Sequence, residues 1–509
     1  MSAAGPRHCP GRVVVVGAGL AGLSTAIRLA AAGVEVTVCE REARPGGRMG
    51  RVERDGFAFD TGPSVLTMPE LVGDLYELAG ESMTDHLTLT RLDPAYRAVF
   101  HDGSELAVRA SVEAMAAEIA DRIGPGEARR FEGFAERLRA LYEVELPHFI
   151  DTNYDSALDL AKPAAMARLI RLGGFRRVWS LVASHLSDWR LRRLFTFQSL
   201  YAGLSPFEAL GLYAVIAYMD CVAGVYGVAG GMHAVSAGLA ELAVRCGVDL
   251  RLATPVERVD VVGGRARGVV TAAGEHLPAA VVVCTPDLPV AYRDLLPADA
   301  TPRRVRRLCY SPSCVVVHLG LSRPLAGSAV HNVHFAADYR AGFDDLRAGR
   351  LQRDPSWLLS VPTRYEPAMA PPGGDVAFVL VPAPNLRGPT GAQLDWDAQA
   401  PREIEQAVAR LERAGYGPVG EARVVAEAVT PADWQRQGMA AGTPFAASHR
   451  FAQTGPFRPA NVAPRVDGVV FAGSGTVPGV GVPMVLLSGR LAAERVKQIL
   501  PRRGPAEMT

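Results

Sequence analysis

Charge of a single sign is missing from this 509-residue chain, where 54 Lys and Arg stand against 53 Asp and Glu. With no global field to recruit a polyanion, a nucleic-acid-binding role is disfavoured. Cysteine is sparse too: Cys9, Cys39, Cys221, Cys246, Cys284, Cys309 and Cys314 are scattered, odd in number and without CxxC spacing. That pattern suits reduced thiols in a cytosolic chain better than a disulfide framework or zinc cluster. No metal site is expected. The opening MSAAGPRHCPGR lacks the apolar core of a signal peptide, so export by that route is not expected. Phe207 to Tyr226 is the longest apolar stretch, but only 11 uncharged residues separate Glu208 from Asp220. A membrane-spanning helix needs ~20, so this stretch reads as a buried helix or a tunnel wall. Internal repeats and low-complexity linkers are also absent.

Apolar material is abundant. Hydrophobic residues make up 49% of the chain and charged residues 21%, enough for two or three intertwined lobes at ordinary domain sizes. The unbroken β-branched run Val13 to Val16 predicts a parallel strand covered on both faces, followed by an Ala-rich helix from Leu20 to Ala32 and a second strand over Val34 to Cys39. A hairpin is expected around Phe100 to Ser104, and a mainly helical, apolar region from Ser156 to Tyr226. An α/β rhythm resumes at Gly230, with strands near Val248 to Leu252, Ala266 to Thr271 and Ala280 to Cys284. β-rich runs between 310 and 425 suggest the sheet of a second lobe.

In VVVVGAGLAGLS the glycines fall at 17, 19 and 22, between a strand and a helix. Gly17 permits the tight turn, Gly19 lets the backbone approach a pyrophosphate, and Gly22 lets helix and strand pack closely. The N–H groups of Leu20 and Ala21, at the helix start, suit the anion. Glu40 lies 18 residues after Gly22, where a carboxylate accepts hydrogen bonds from ribose hydroxyls. The chain continues REARPGGRMG and then GFAFDTGPSV. A nicotinamide fold has no need of this extension, which is similar to that of the flavin amine-oxidase-like group. FAD is therefore the expected cofactor, with Arg41, Gly46, Gly47, Arg48, Thr61, Gly62, Pro63, Ser64 and Val256 among its contacts.

A second glycine loop, GVVFAGSGTVPGVGVPMVLLSGR, lies near the C-terminus. Gly473, Gly475, Gly479 and Gly481 would bring backbone close to the flavin, with Ser474 among the contacts. A helix beginning at Val482 or Pro483, with Met484 in its first turn, would point its N-terminus at the pyrimidine edge, where negative charge gathers on reduction.

Taken together, GAGLAGLSTAIRLAAAG, ARPGGR, GFAFDTGPSVLTMP, FTFQSLYAGLSPFEALGLYAVIAYMD, GGMHAV, RDLLP and GSGTVPGVGVP resemble the bacterial phytoene desaturase family, the FAD-dependent carotenoid desaturases, over nearly the whole length. The resemblance implies an α/β fold with a Rossmann-type FAD-binding domain (1–90, 230–300 and 460–509). It further implies an interleaved substrate domain with a mixed sheet (91–145 and 301–459) and a helical, membrane-facing lobe (146–229). Stepwise dehydrogenation of 15-cis-phytoene toward carotenes such as lycopene is the activity implied, with hydride passing to flavin N5 and an oxygen or quinone electron acceptor. A cytoplasmic protein attached peripherally to the inner face of the cell membrane is the implied location. Departures from the family pattern fall at Tyr226 to Ala229, at Cys284 to Asp287, and at Met484.

Removing hydride from one allylic carbon and a proton from its neighbour calls for an apolar tunnel and invites a weak base. Phe195, Phe197, Tyr201, Phe207, Tyr213, Tyr218 and Tyr226 are candidate walls. Asp159 and Lys162, a D-x-x-K at helical spacing, are the candidate acid-base pair, since the family can carry D-x-x-R at the corresponding place. Asp220, His331 and His334 are alternatives. Leu158 to Leu186 interleaves Lys162, Arg168, Arg171, Arg176 and Arg177 with apolar residues, as an element lying on anionic lipid would. Other functions compatible with the sequence are an isomerase, a ketolase or a desaturase of another polyene on the same fold, and a flavin-free prenyl-lipid carrier.

Overall fold

A computed structural model describes residues 11–387 and 394–500, leaving Cys9 outside the described residues. Strand β1 (Arg12–Val16), helix α1 (Leu20–Ala30) and strand β2 (Glu35–Cys39) form the predicted unit. The helix stops short of the expected Ala32 because Ala31 and Ala32 turn the chain into Gly33. β1 is central in a five-stranded parallel sheet ordered Val469–Phe471, Val281–Cys284, β1, β2, Asp249–Arg251. Val13 and Val15 enter one hydrophobic core while Val14 and Val16 enter another on the opposite face. This two-sided cover explains why the strand reads as an unbroken run rather than an alternating one. Each such side chain contributes about 1.5–3 kcal/mol of burial.

Gly22 shows why the glycine spacing is needed. A Cβ there would lie 2.1 Å from the Gly17 carbonyl oxygen, inside the turn it packs against. Helix α2 (Pro125–Glu145) supports the helical lobe through Phe131, Phe134, Leu138 and Leu141. Helix α3 (Val482–Ile499) begins where predicted and packs along α1, with Ser24 Oγ donating to the Leu486 carbonyl at 2.9 Å.

A seven-stranded mixed sheet faces the dinucleotide-type sheet across a cavity. Its order is Arg423–Val429, Ser313–Leu321, Asp375–Ala383, Trp357–Ser360, His331–His334, Tyr96–Val99, Glu105–Val108. The pairs are antiparallel except His331–His334 with Tyr96–Val99, which run parallel. Along Ser313–Leu321 the odd positions Val315, Val317 and Leu319 enter the core behind the sheet, while Cys314, Val316 and His318 face the cavity. The period of two thus makes one strand both core and wall.

The apolar stretch from Phe207 to Tyr226 is not one helix. It breaks into a 3-10 turn (Gly211–Ala214), a single α-turn (Val215–Tyr218) and a π-turn (Met219–Ala223), ending at Gly224 with φ 109°.

Candidate functional site

One cavity of about 1240 Å³ runs from the first glycine loop past the second and along the seven-stranded sheet. The positions expected to contact the cofactor lie on its wall except Gly22, which is packed beneath it, and Gly479, which packs against the His449 ring. Gly19 is the N-cap of α1 and Gly481 that of α3, and no side chain caps either helix. The first-turn N–H groups of both therefore point out of the helix ends, as an anionic ligand requires. Glu40 is buried, with Oε2 accepting from the Ala18 amide at 2.6 Å and Oε1 from the Glu42 amide at 3.0 Å. Those two bonds fix the carboxylate and leave lone pairs for ribose hydroxyls. Gly46 pairs with Gly19 through its amide to the Ala18 carbonyl at 3.0 Å.

Arg48 fastens the two glycine regions together. Its Nη1 donates to Ser474 Oγ at 2.6 Å and to the Pro444 carbonyl at 3.0 Å, with Asp287 at 3.8 Å from Nη2. Arg41, at the other edge, donates to the Gln437 carbonyl at 2.6 Å. The donor set fits a dinucleotide cofactor.

Asp159 and Lys162 are not on this wall. Asp159 Oδ2 accepts from the Asp155 and Ser156 amides at 2.7 and 2.8 Å in a capping box, and these bonds hold it below the ordinary carboxylate range. Lys162 donates to the His148 carbonyl at 2.7 Å. Both groups are therefore engaged in structural bonds. Of the candidate tunnel aromatics, Phe197, Tyr201 and Tyr213 line the cavity and the other four do not. Phe195 stacks on Phe131 and Tyr218 on Tyr142, Phe207 packs at a tilt against Trp179, and Tyr226 lies in a two-stranded pairing with Leu89–Arg91. His331 faces the carbonyls of Ala95 and Ser64, and His334 stacks on Trp357 with ring centroids 3.9 Å apart. Among the described residues no cluster of three or more His, Cys, Asp or Glu is arranged to hold a metal ion.

The ionisable side chains buried on the wall include Asp220, Glu145 and His318. Asp220 was a sequence candidate; Glu145 and His318 were not. Burial alone pushes Glu145 well above the ordinary range. His318 is lowered to about 4, chiefly by burial, so its ring is neutral at pH 7. Asp220 is raised by burial to about 7, opposed only by the Tyr96 hydroxyl. No sequence signal marks Glu145, since it ends an ordinary amphipathic helix. Arg458 was missed as well. It is 1% exposed and holds the second glycine loop through Nε to the Thr476 carbonyl at 2.8 Å and Nη2 to the Ser474 carbonyl at 2.6 Å.

The Asp220 carboxyl has an ordinary value of 3.8 and a value of about 7 in the fold, so the folded protein holds this proton more tightly than the unfolded chain. Its contribution to stability is complete below pH 3.8 and is lost as pH rises through about 7, a swing of ~4 kcal/mol. Asp220→Asn cannot ionise. It is expected to melt higher than wild type at about pH 8 and to lose that advantage at about pH 4. Melting curves check this, and an equal difference at both pH values would contradict it.

The family model described as flavin containing amine oxidoreductase matches residues 20–497. A phytoene dehydrogenase of Streptomyces griseus is 49% identical over 95% of this chain and 94% of its own length. A zeta-carotene-forming phytoene desaturase of Myxococcus xanthus is 37% identical over 95% of this chain and 93% of its own. Among solved structures, a triple mutant of putrescine oxidase superposes with a TM-score of 0.63 at 17% identity, covering 97% of this chain and 99% of that one. At that identity it attests the fold alone.

Proposed function

The chain belongs to the flavin containing amine oxidoreductase family, and from that premise we propose that it desaturates a phytoene-like hydrocarbon stepwise into more conjugated carotenes. Its cofactor is FAD, which when bound supplies an acceptor for hydride from an allylic carbon. The polypeptide does the rest. The first glycine loop and Glu40 would hold the ADP half, and Thr61 to Ser64 with Gly473 to Met484 would flank the ring.

The observation that carries this reading is the continuity of the cavity, in which two open helix ends share one space with an apolar wall. Val333, Phe335, Leu358, Phe378 and Leu380 of the seven-stranded sheet form that wall. A hydrocarbon has no polar handle, so shape and apolar contact must hold it while water is kept from the electron-poor carbons. The test is to load the protein with FAD, supply phytoene in liposomes and identify the pigments by chromatography. Unchanged phytoene, with another polyene consumed under the same conditions, would reject the substrate assignment.

An insoluble substrate also bears on where the cavity opens. Phe175 and Phe451 line the cavity and are 41% and 58% exposed, with ring centroids 6.5 Å apart. Nearby in sequence, Leu158 and Ile170 are 80% and 60% exposed. Among the described residues no helix is long and apolar enough to cross a membrane. The reading is a rim resting on the inner face of the cell membrane, with Arg168, Arg171, Arg176 and Arg177 toward anionic headgroups and the substrate entering from lipid. Ile170→Asp with Phe451→Asp is expected to weaken vesicle binding about 100-fold, at ~1.5 kcal/mol per side chain. Co-sedimentation with anionic vesicles measures it, and unchanged binding would move the contact elsewhere. An oxygen or quinone acceptor completes the cycle. Anaerobic turnover sustained by added quinone would single out the quinone.

A further inference from the structure

Cofactor holding leaves two buried carboxyl groups on the cavity wall without a role. Glu145 finds no partner for Oε1, and burial with no nearby cation favours its protonated form, which takes up no further proton. Asp220 stands differently. It belongs to the π-turn Met219–Ala223, a widened turn that is frequent at functional sites. Tyr96 Oη donates to its Oδ2 at 3.3 Å, and no donor among the described residues meets Oδ1.

Its place along the cavity follows from its neighbours. The Tyr96 ring lies 5.5 Å from that of His331, and His331 Nε2 lies 3.0 Å from the Ser64 carbonyl. Ser64 closes the Thr61 to Ser64 segment of the cofactor wall. A short relay of packed side chains thus ties Asp220 to the Thr61 to Ser64 segment of the cavity wall. Phe197 and Tyr201 line the cavity beside it.

We propose that Asp220 is the general base of desaturation, taking a proton from the substrate carbon next to the one that gives up hydride. The inference rests on the reading of the protein as an FAD-dependent polyene desaturase. For each new double bond, one C–H bond breaks with both electrons leaving as hydride to the bound flavin. The neighbouring C–H bond breaks with its proton passing to Asp220, and its electron pair stays behind as the new π bond. The oxygen- or quinone-class acceptor takes up the two electrons with two protons, one that left the substrate as hydride and one returned from Asp220 by way of water. The titratable groups facing Asp220 are the Tyr96 and Tyr201 hydroxyls and the Cys221 thiol, all raised by burial and so neutral near pH 7. None of them competes as the base.

Holoenzyme mixed anaerobically with phytoene-bearing vesicles gives the rate of flavin bleaching. Asp220→Asn should slow it about 100-fold or more with flavin content unchanged, and Asp220→Glu should recover part of the loss. Infrared titration of the protein without substrate supplies an independent readout. A carboxyl band that titrates near neutral pH should be present in wild type and missing in Asp220→Asn. Should Asp220→Asn fail to retain flavin, Tyr96→Phe carries the test. Losing the hydroxyl that steadies the carboxylate should move the rising limb of the rate to higher pH. Bleaching by Asp220→Asn at the wild-type rate, an infrared band that survives the substitution, or an unshifted limb in Tyr96→Phe would each overturn the assignment of Asp220. Wild-type flavin that phytoene never bleaches would instead overturn the desaturase reading, and this inference with it.

Discussion

Gly62→Ala is expected to give a folded but colourless protein, with the FAD dissociation constant raised about 100-fold or more. A Cβ at this position would lie 1.8 Å from the Arg48 carbonyl oxygen and 2.9 Å from its carbon. Both are backbone atoms, so no rotamer relieves the contact and the Arg48 peptide must move. Arg48 clamps Ser474 and Pro444, and displacing its backbone pulls the two glycine regions apart. Overpacking of this kind costs about 1–3 kcal/mol, and here it falls on the cofactor cradle instead of spreading through a core. Flavin absorbance per mole of purified protein measures the outcome, with FAD titration of the stripped protein giving the affinity. A yellow Gly62→Ala protein of wild-type affinity would mean that this segment does not touch the cofactor.

The second large effect is on Arg458. Its guanidinium is fully enclosed, lowered to about 10 by burial and still cationic at pH 7. Besides Thr476 and Ser474 it reaches the carbonyls of Gln453 and Ala447, both at 3.3 Å. Arg458→Met fills most of the space but strands these acceptors, each at ~1–3 kcal/mol. A loss of stability of about 4 kcal/mol is expected by denaturant unfolding, together with release of flavin at lower denaturant than the global transition. Arg458→Lys keeps the charge but not the planar fork, so it should recover only part of the loss. Wild-type stability in Arg458→Met would show that water can replace the guanidinium among those carbonyls.

Much of the cofactor site was legible because its constraints are local. Three glycines between a β-branched run and an Ala-rich run dictate strand, turn and open helix end whatever surrounds them, and Glu40 follows at the end of the next strand. The C-terminal helix start at Val482 was readable for the same reason, from glycines followed by a proline at the first turn. Asp159 and Lys162 show the limit. Their spacing suggests one helical face, but Pro163 disfavours helical backbone at Lys162. There a 3-10 turn gives way to a new helix, so the two side chains point to different partners. The aromatics between 195 and 226 divide in the same way. Short turns ended at Gly203 and Gly224 send Phe197, Tyr201 and Tyr213 to the cavity and the rest into packing.

The order of residues was enough to specify a strand-turn-helix that receives a dinucleotide and a second loop able to lie against its ring, since both depend on backbone conformation over a few neighbouring positions. Only the assembled fold decided which carboxyl groups became functional candidates. Asp159 kept its solvent and its cap, whereas Asp220 lost water to Tyr96, Phe197 and Tyr201, which arrive from other elements. The proton affinity of a side chain is set by the dielectric and the donors around it, and those are supplied by residues far away in the chain.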